Sequence, residues 1–164
     1  MRYFITFACY GSHLHGDESG SVDALHNLPG SRLLEADPQR TSAERQKMSQ
    51  EPYVLDRDGR VAVVDALRQV CSHRGWNLLA AHVRTNHVHA VVEAEVRPEK
   101  IMNDFKSYAS RGLNRLGRDG SDRKRWARHG STRWLWKDRD VQEAIRYVVE
   151  AQGEPMAIFV ADVL

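Results

Sequence analysis

Apolar residues that alternate in four segments and recur at helical spacing in three others predict an α+β fold. Their order is strand, helix, strand, strand, helix, strand, helix. The first six form a ferredoxin-like β-α-β-β-α-β antiparallel sheet with its helices on one face, and an additional C-terminal helix carries a tyrosine. The two middle strands are separated only by Thr85 and Asn86, too few residues for anything but an antiparallel hairpin. At 164 residues the chain is most simply one domain, 1–164, long enough to bury a core without staples.

Each element has its own signal. Tyr3–Cys9 (YFITFAC) is aromatic and β-branched and closes at Gly11, as a first strand does. Residues 11–51 are treated as an insertion of unknown role: Gly, Ser, His and Asp dominate to Arg32, with a turn at Leu28–Gly30, and Ser42–Gln50 has the makings of a short polar helix that ends before Pro52. Over Asp56–His73, Val61, Val64, Leu67 and Val70 fall near helical spacing, with Asp56 and Asp58 at the start and Gly75 beyond the end. Trp76–Arg84 and His87–Glu95 are the hairpin strands. Pro98 opens a helix along Ile101, Phe105, Tyr108, Leu113 and Leu116 that stops at Gly117 or Gly120. After a charged loop, Arg133–Lys137 (RWLWK) reads as a short strand. Asp138 or Asp140 caps a last helix over Val141–Ala151, and the apolar tail after Pro155 suits either a short strand or a dimer contact.

Composition and charge narrow the function. Cys9 and Cys71 are too few and too far apart for a zinc site or a disulfide framework, so a reducing cytoplasm is the expected compartment. The N-terminus lacks the charge and apolar pattern of a signal peptide, and no stretch is apolar enough to span a membrane. The net charge of +2 hides an asymmetry, because Lys106–Arg139 holds eleven Lys and Arg against three Asp. Such a basic block is the footprint of a polyanionic partner; a solvated helix face is the plainer alternative.

The chemistry-bearing stretch is Thr85–Glu93 (TNHVHAVVE). On a strand, His87 and His89 share one face while Val88, Ala90 and Val92 share the other, so one face packs on a core and the other offers two imidazoles to a cation. The same spacing at His13 and His15, in a Gly/Ser-rich stretch, shows that an H-x-H pair alone is weak evidence; a surface pair is the commoner explanation.

Together with FKSYASRGLN (105–114) and RWLWKDRDVQEAIRYVV (133–149), this stretch resembles the single-tyrosine HUH transposases, the IS200-like family that includes the REP-associated tyrosine transposases. Thr85 stands where that family has a proline. The likeness covers roughly residues 54–153 and the first strand, and leaves 11–51 unaccounted for. It implies a metal-dependent single-stranded DNA nuclease and strand transferase, acting through a 5′-phosphotyrosine on hairpin or repeat DNA. It also implies Tyr147 as nucleophile, His87 and His89 as ligands of Mg²⁺ or Mn²⁺, and single-stranded or hairpin DNA as partner. Relatives include monomers and homodimers, and both stay open here. The family's third ligand is a glutamine four residues after the tyrosine. That position is Ala151, and Gln152 follows it, so either Gln152 or Glu150 reaches the cation, or water and phosphate complete the site, or the site is weakened.

Other residues are weighed beside these. Tyr108 is the alternative nucleophile, although Phe105 and Leu116 draw it toward the core. Lys106, Arg111, Arg125, Arg128, Arg133 and Lys137 are the expected DNA-binding cations, with Trp126 as a stacking side chain among polar neighbours. Trp134 and Trp136 share a face and fit either core packing or base stacking. His82 and His129 are lesser candidates, near the hairpin and in the basic loop. Two further functions compete: a domesticated, catalytically reduced nucleic-acid-binding protein on the same fold, and a small metal-dependent hydrolase, which the lack of an accompanying carboxylate cluster disfavours.

Overall fold

The computed structural model describes residues 1–12 and 48–162. The His13–His15 pair, most of the 11–51 insertion and most of the helix expected over Ser42–Gln50 lie outside the described residues; residues 48–50 are not helical. The described elements are β1 (Arg2–Cys9), α1 (Arg57–Arg74), β2 (Asn77–Val83), β3 (His87–Glu93), α2 (Pro98–Arg115), β4 (Trp126–Trp134), α3 (Asp138–Glu150) and β5 (Ala157–Val160). No helix among them is long and apolar enough to cross a membrane.

The strands form one antiparallel sheet in the order β4-β1-β3-β2-β5, so the expected ferredoxin-like unit is present with one strand added at the β2 edge. Period-2 alternation divides its side chains. Tyr3, Ile5 and Phe7 of β1 and Val88, Ala90 and Val92 of β3 face α1 and α2, where Leu67, Val70, Ile101 and Phe105 complete the main core. The opposite residues, Phe4, Ala80 and Val91, face α3 and its apolar stripe Val141, Ala144, Ile145 and Val148. The stripe has the i, i+3, i+4, i+7 spacing of a one-sided helix. The face left open by α1 and α2 is therefore partly roofed by the tyrosine-bearing helix.

The local signals explain the boundaries. The Asp56 carboxylate accepts the Gly59 N–H at 2.8 Å as the N-cap of α1, and Gly75, at φ 72°, closes the helix in a left-handed turn. Arg118, from the basic loop, ion-pairs with both Asp56 and Asp58. α3 begins at Asp138, before the expected Val141; Lys137 is its N-cap residue, and Asp140, inside the first turn, accepts the Lys137 N–H at 3.3 Å.

One expectation is corrected. The fourth strand is Trp126–Trp134, not Arg133–Lys137. As the edge strand it is largely exposed, so it shows no apolar alternation to read, and its pairing with β1 is what defines it. Gly130 is needed within it: a Cβ there would lie 2.5 Å from the Thr6 carbonyl oxygen and 2.7 Å from Met102 Sδ. Leu135 turns away into the core beneath α3. The tail after Pro155, which suited either a strand or a dimer contact, is a strand: β5 pairs with β2 from Ala80↔Val160 to Val83↔Ala157.

The Gly59 N–H, aided by Arg118, holds the Asp56 carboxyl below its ordinary value of 3.8. The folded chain thus binds this proton less readily than the unfolded chain. Its stabilisation is complete above the unfolded value and is lost as pH falls through the lower folded one. Asp56→Asn keeps an acceptor for Gly59 but loses the charge. Thermal melts should show the variant a few degrees less stable at neutral pH, with the difference closing in acid; a gap that persists in acid contradicts this origin.

Candidate functional site

The site is built on the central strand, β3. The hairpin before it closes with the Arg84 N–H on His87 O at 2.9 Å, around the expected turn at Thr85 and Asn86. That turn is anchored twice more, through Cys9 N–H to Asn86 O at 2.8 Å and Leu55 N–H to Thr85 O at 2.7 Å. With its backbone so held, Asn86 sets Oδ1 2.7 Å from His87 Nδ1. An amide oxygen only accepts, so Nδ1 carries the proton and Nε2 the lone pair. His89 Nδ1 lies 2.9 Å from Thr6 Oγ1 on the neighbouring strand, so Nε2 is the ring nitrogen that could ligate a cation here as well. Orienting partners on the second ring nitrogen are what ligating histidines usually have.

The two imidazoles lie with centroids 4.8 Å apart and planes at 81°. His89, only 7% exposed, stacks on Phe4 at 5.8 Å and 12°. Tyr147 of α3 stands edge-on to both rings, 6.0 Å from His89 and 5.9 Å from Phe4. The structure thus brings together His87, His89 and Tyr147, and it does so within one chain. Tyr147 is half-buried, beside the apolar stripe of α3 rather than in it.

Tyr108 is not brought to this group. It packs against the main core on the α1/α2 side of the sheet, with Arg111 stacked over its ring at 4.9 Å and His73 beside it. The sheet separates it from the histidines. Thiol chemistry is also remote, since burial pushes both Cys9 and Cys71 up to about 12.

Gln152 turns its amide back on the helix: Nε2 donates to Tyr147 O at 3.3 Å, where the Ala151 N–H also arrives at 3.2 Å. Among the described residues no group of three or more His, Cys, Asp and Glu side chains gathers as a metal site. The side chains here that could hold a cation are the two imidazoles. They suit a cation that completes its shell with water or phosphate oxygen, and Mn²⁺ matches imidazole better than Mg²⁺ does.

The expected DNA-binding residues separate into distinct settings. Arg133 pairs across from Phe4 and so shares the face of His89 and Tyr147. Lys137, Arg128 and Arg111 are exposed, the last on the far helix layer, and His129 is exposed on β4. The Lys106 ammonium is held by the carbonyls of Ala127 (3.0 Å) and His129 (3.3 Å), where burial lowers its proton affinity. Two more of them are engaged within the protein. Arg125 is buried, bonded to Asp119 and Ser110 O, so it braces the 119–125 loop. Trp126, opposite Cys9, packs edge-on to Phe7 with its indole N–H on Lys106 O and Ser110 Oγ. The open indole faces belong to Trp134 and Trp136, which stack on each other at 4.9 Å and 11° and are 37% and 72% exposed.

Sequence reasoning missed Thr6, Phe4 and the role of Asn86. The signal for the first two is their shared parity on β1, which only the β1–β3 register connects to His89. His82, a lesser candidate in the sequence, is wholly buried beside His89, with Nδ1 3.0 Å from Val148 O and Nε2 accepting the Met156 N–H at 3.0 Å. Burial, with the nearby Arg84 charge, lowers its proton affinity, while the Val148 carbonyl acts the other way.

Comparison with known proteins adds the following. The family described as transposase, IS200-like, matches residues 45–140, a span that ends before Tyr147. No curated protein matches the chain. Similar solved structures include a REP-associated tyrosine transposase bound to a REP hairpin (10% identity, TM-score 0.48, 90% of this chain and 64% of that one) and a candidate transposase from Deinococcus radiodurans R1 (13%, 0.45, 87% and 85%). The chain thus spans just under two thirds of the first.

The Asn86 contact has a direct spectroscopic consequence. Ring ¹⁵N shifts of neutral His87 should report one tautomer, protonated at Nδ1, and Asn86→Ala should give a mixture. A mixture already present in the wild type contradicts the contact.

Proposed function

This chain belongs to the IS200-like transposase family, and from that premise we propose that it cleaves and rejoins single-stranded DNA through Tyr147, with a divalent cation held at His87 and His89. The carrying observation is the edge-on approach of the Tyr147 ring to His89, 6.0 Å between centroids, on the same face of one chain's sheet.

The chemistry follows from the residues. A phenol with a pKa of about 10 is a weak nucleophile at neutral pH. His87 and His89 would hold Mg²⁺ or Mn²⁺, which would supply the positive charge that polarises a scissile phosphate. Tyr147 Oη attacks phosphorus and loses its proton; the bond to the 3′ oxygen breaks and that oxygen takes up a proton. The product is a 5′-phosphotyrosine and a free 3′ hydroxyl, so the bond is stored for reversal on another 3′ end. Arg133, on the site face, and exposed Lys137 and Arg128 offer phosphate contacts without sequence preference. Trp134, paired with Tyr3, lies on the other face of the β4 edge from Arg133, and there the stacked Trp134 and Trp136 offer a surface for unpaired bases that pass around that edge.

A second reading, a binding protein with reduced catalysis, is favoured by Ala151 in the glutamine position and by Gln152 capping the helix. The test is a covalent-adduct gel with labelled hairpin DNA from the gene's own flanks and Mn²⁺. Wild type and Tyr108→Phe should form the adduct, Tyr147→Phe none, and His87→Ala or chelated samples roughly 100-fold less. An adduct lost only in Tyr108→Phe contradicts the assignment. Tight, salt-sensitive binding with no adduct in any sample selects the second reading.

A further inference from the structure

α3 leaves β4 at one edge of the sheet and returns through residues 151–156 to β5 at the other. The reach of Tyr147 over His89 therefore depends on how the C-terminal end of α3 is fixed. The last carbonyls of a helix have no partner within it and need one from outside. Val148, the residue after Tyr147, finds that partner in His82 of β2. A carbonyl only accepts, so Nδ1 of His82 donates, which leaves Nε2 to accept the Met156 N–H. One neutral imidazole, with no exposed surface, thus grips the helix end and the strand that follows it. Arg84 assists, its Nη1 donating to Glu154 O at 2.8 Å and lying 3.4 Å from His82 Nε2, a longer third contact beside the bonds to Val148 and Met156. His82 is also the register partner of His89, so both contacts are referred to the strand beside the histidine pair.

We propose that His82 is a positioning residue for Tyr147, its two hydrogen bonds setting the approach of the α3 end to His89. This rests on Tyr147 being the nucleophile. A displacement of about 1 Å can cost on the order of 100-fold in rate without a change in binding. The two bonds can be separated chemically: the Asn amide reaches the place of Nδ1 and can donate to Val148 O, whereas the Gln amide reaches the place of Nε2 and can accept from Met156.

The experiment uses the full chain with His82→Asn, His82→Gln and His82→Ala, reading single-turnover adduct formation, affinity for the same DNA, and amide exchange. In His82→Ala adduct formation should slow about 10- to 100-fold at unchanged DNA affinity. His82→Asn should recover most of the rate and His82→Gln little. Exchange should quicken in the last turn of α3 in the Ala and Gln variants, with β1 and β3 unaffected. Equal impairment of Asn and Gln, or a wild-type rate in His82→Ala, overturns the proposal; the Asn–Gln pair decides alone should the Ala variant not fold. If wild type forms no adduct, the nucleophile reading fails separately. The clamp is then judged on exchange: a loosened last turn in Ala and Gln but not Asn supports it, and equal protection in all variants overturns it.

Discussion

The antiparallel register that sets Thr6, His89 and His82 side by side on three neighbouring strands governs the site. Because side chains alternate, a slip of one residue in either pairing would send a histidine into the main core and leave an apolar side chain in its place. The register is held from the other face, where Ile5, Phe7, Val88, Ala90 and Val83 pack under α1 and α2. Burial on one side thus fixes polar geometry on the other. The polar row is itself satisfied, Thr6 with His89 and His82 with the backbone of the α3 return, which keeps it from being a liability in a largely dry setting.

The route of the chain gives the tyrosine helix two tethers. Before it, Leu135 is buried with the α3 stripe and the Leu135 N–H reaches Arg2 O at 2.9 Å. After it, β5 joins the sheet at β2. A helix tied to opposite edges cannot easily leave its own sheet without undoing one of those pairings. The apolar stripe that seats α3 excludes Tyr147 itself, which is left at its margin, next to the histidines and half-exposed. Such a margin is where a side chain can be both positioned and available.

The parts of this arrangement governed by strong local periods were legible in the sequence. The period-2 run after Asn86 separated His87 and His89 from Val88 and Ala90, and the apolar recurrences of α1 and α2 gave those helices within a residue or two. Legibility failed where tertiary pairing decides. β4 was misplaced because an edge strand with Gly130 at a close approach to Thr6 carries little alternation. Arg125 and Trp126 looked solvated because their sequence neighbours are charged, yet the β1 register turns Trp126 onto Phe7 and buries Arg125 against Asp119. Gln152 was one of several options for a third ligand, and its amide is bonded to the helix end. The partners of the two histidine rings, Asn86 and Thr6, were invisible as such because each is an ordinary turn or strand residue until the fold is assembled.

The central claim is that a cation at His87 and His89 sits beside Tyr147 of the same chain. The most direct measurement is a Mn²⁺ titration of protein carrying ¹³C-labelled tyrosine, in which five tyrosines report at once. Tyr147 should be broadened at the lowest metal concentration, and His87→Ala should remove the effect. Broadening of Tyr108 first, from the far side of the sheet, or of no tyrosine at saturable metal concentrations, would contradict that claim.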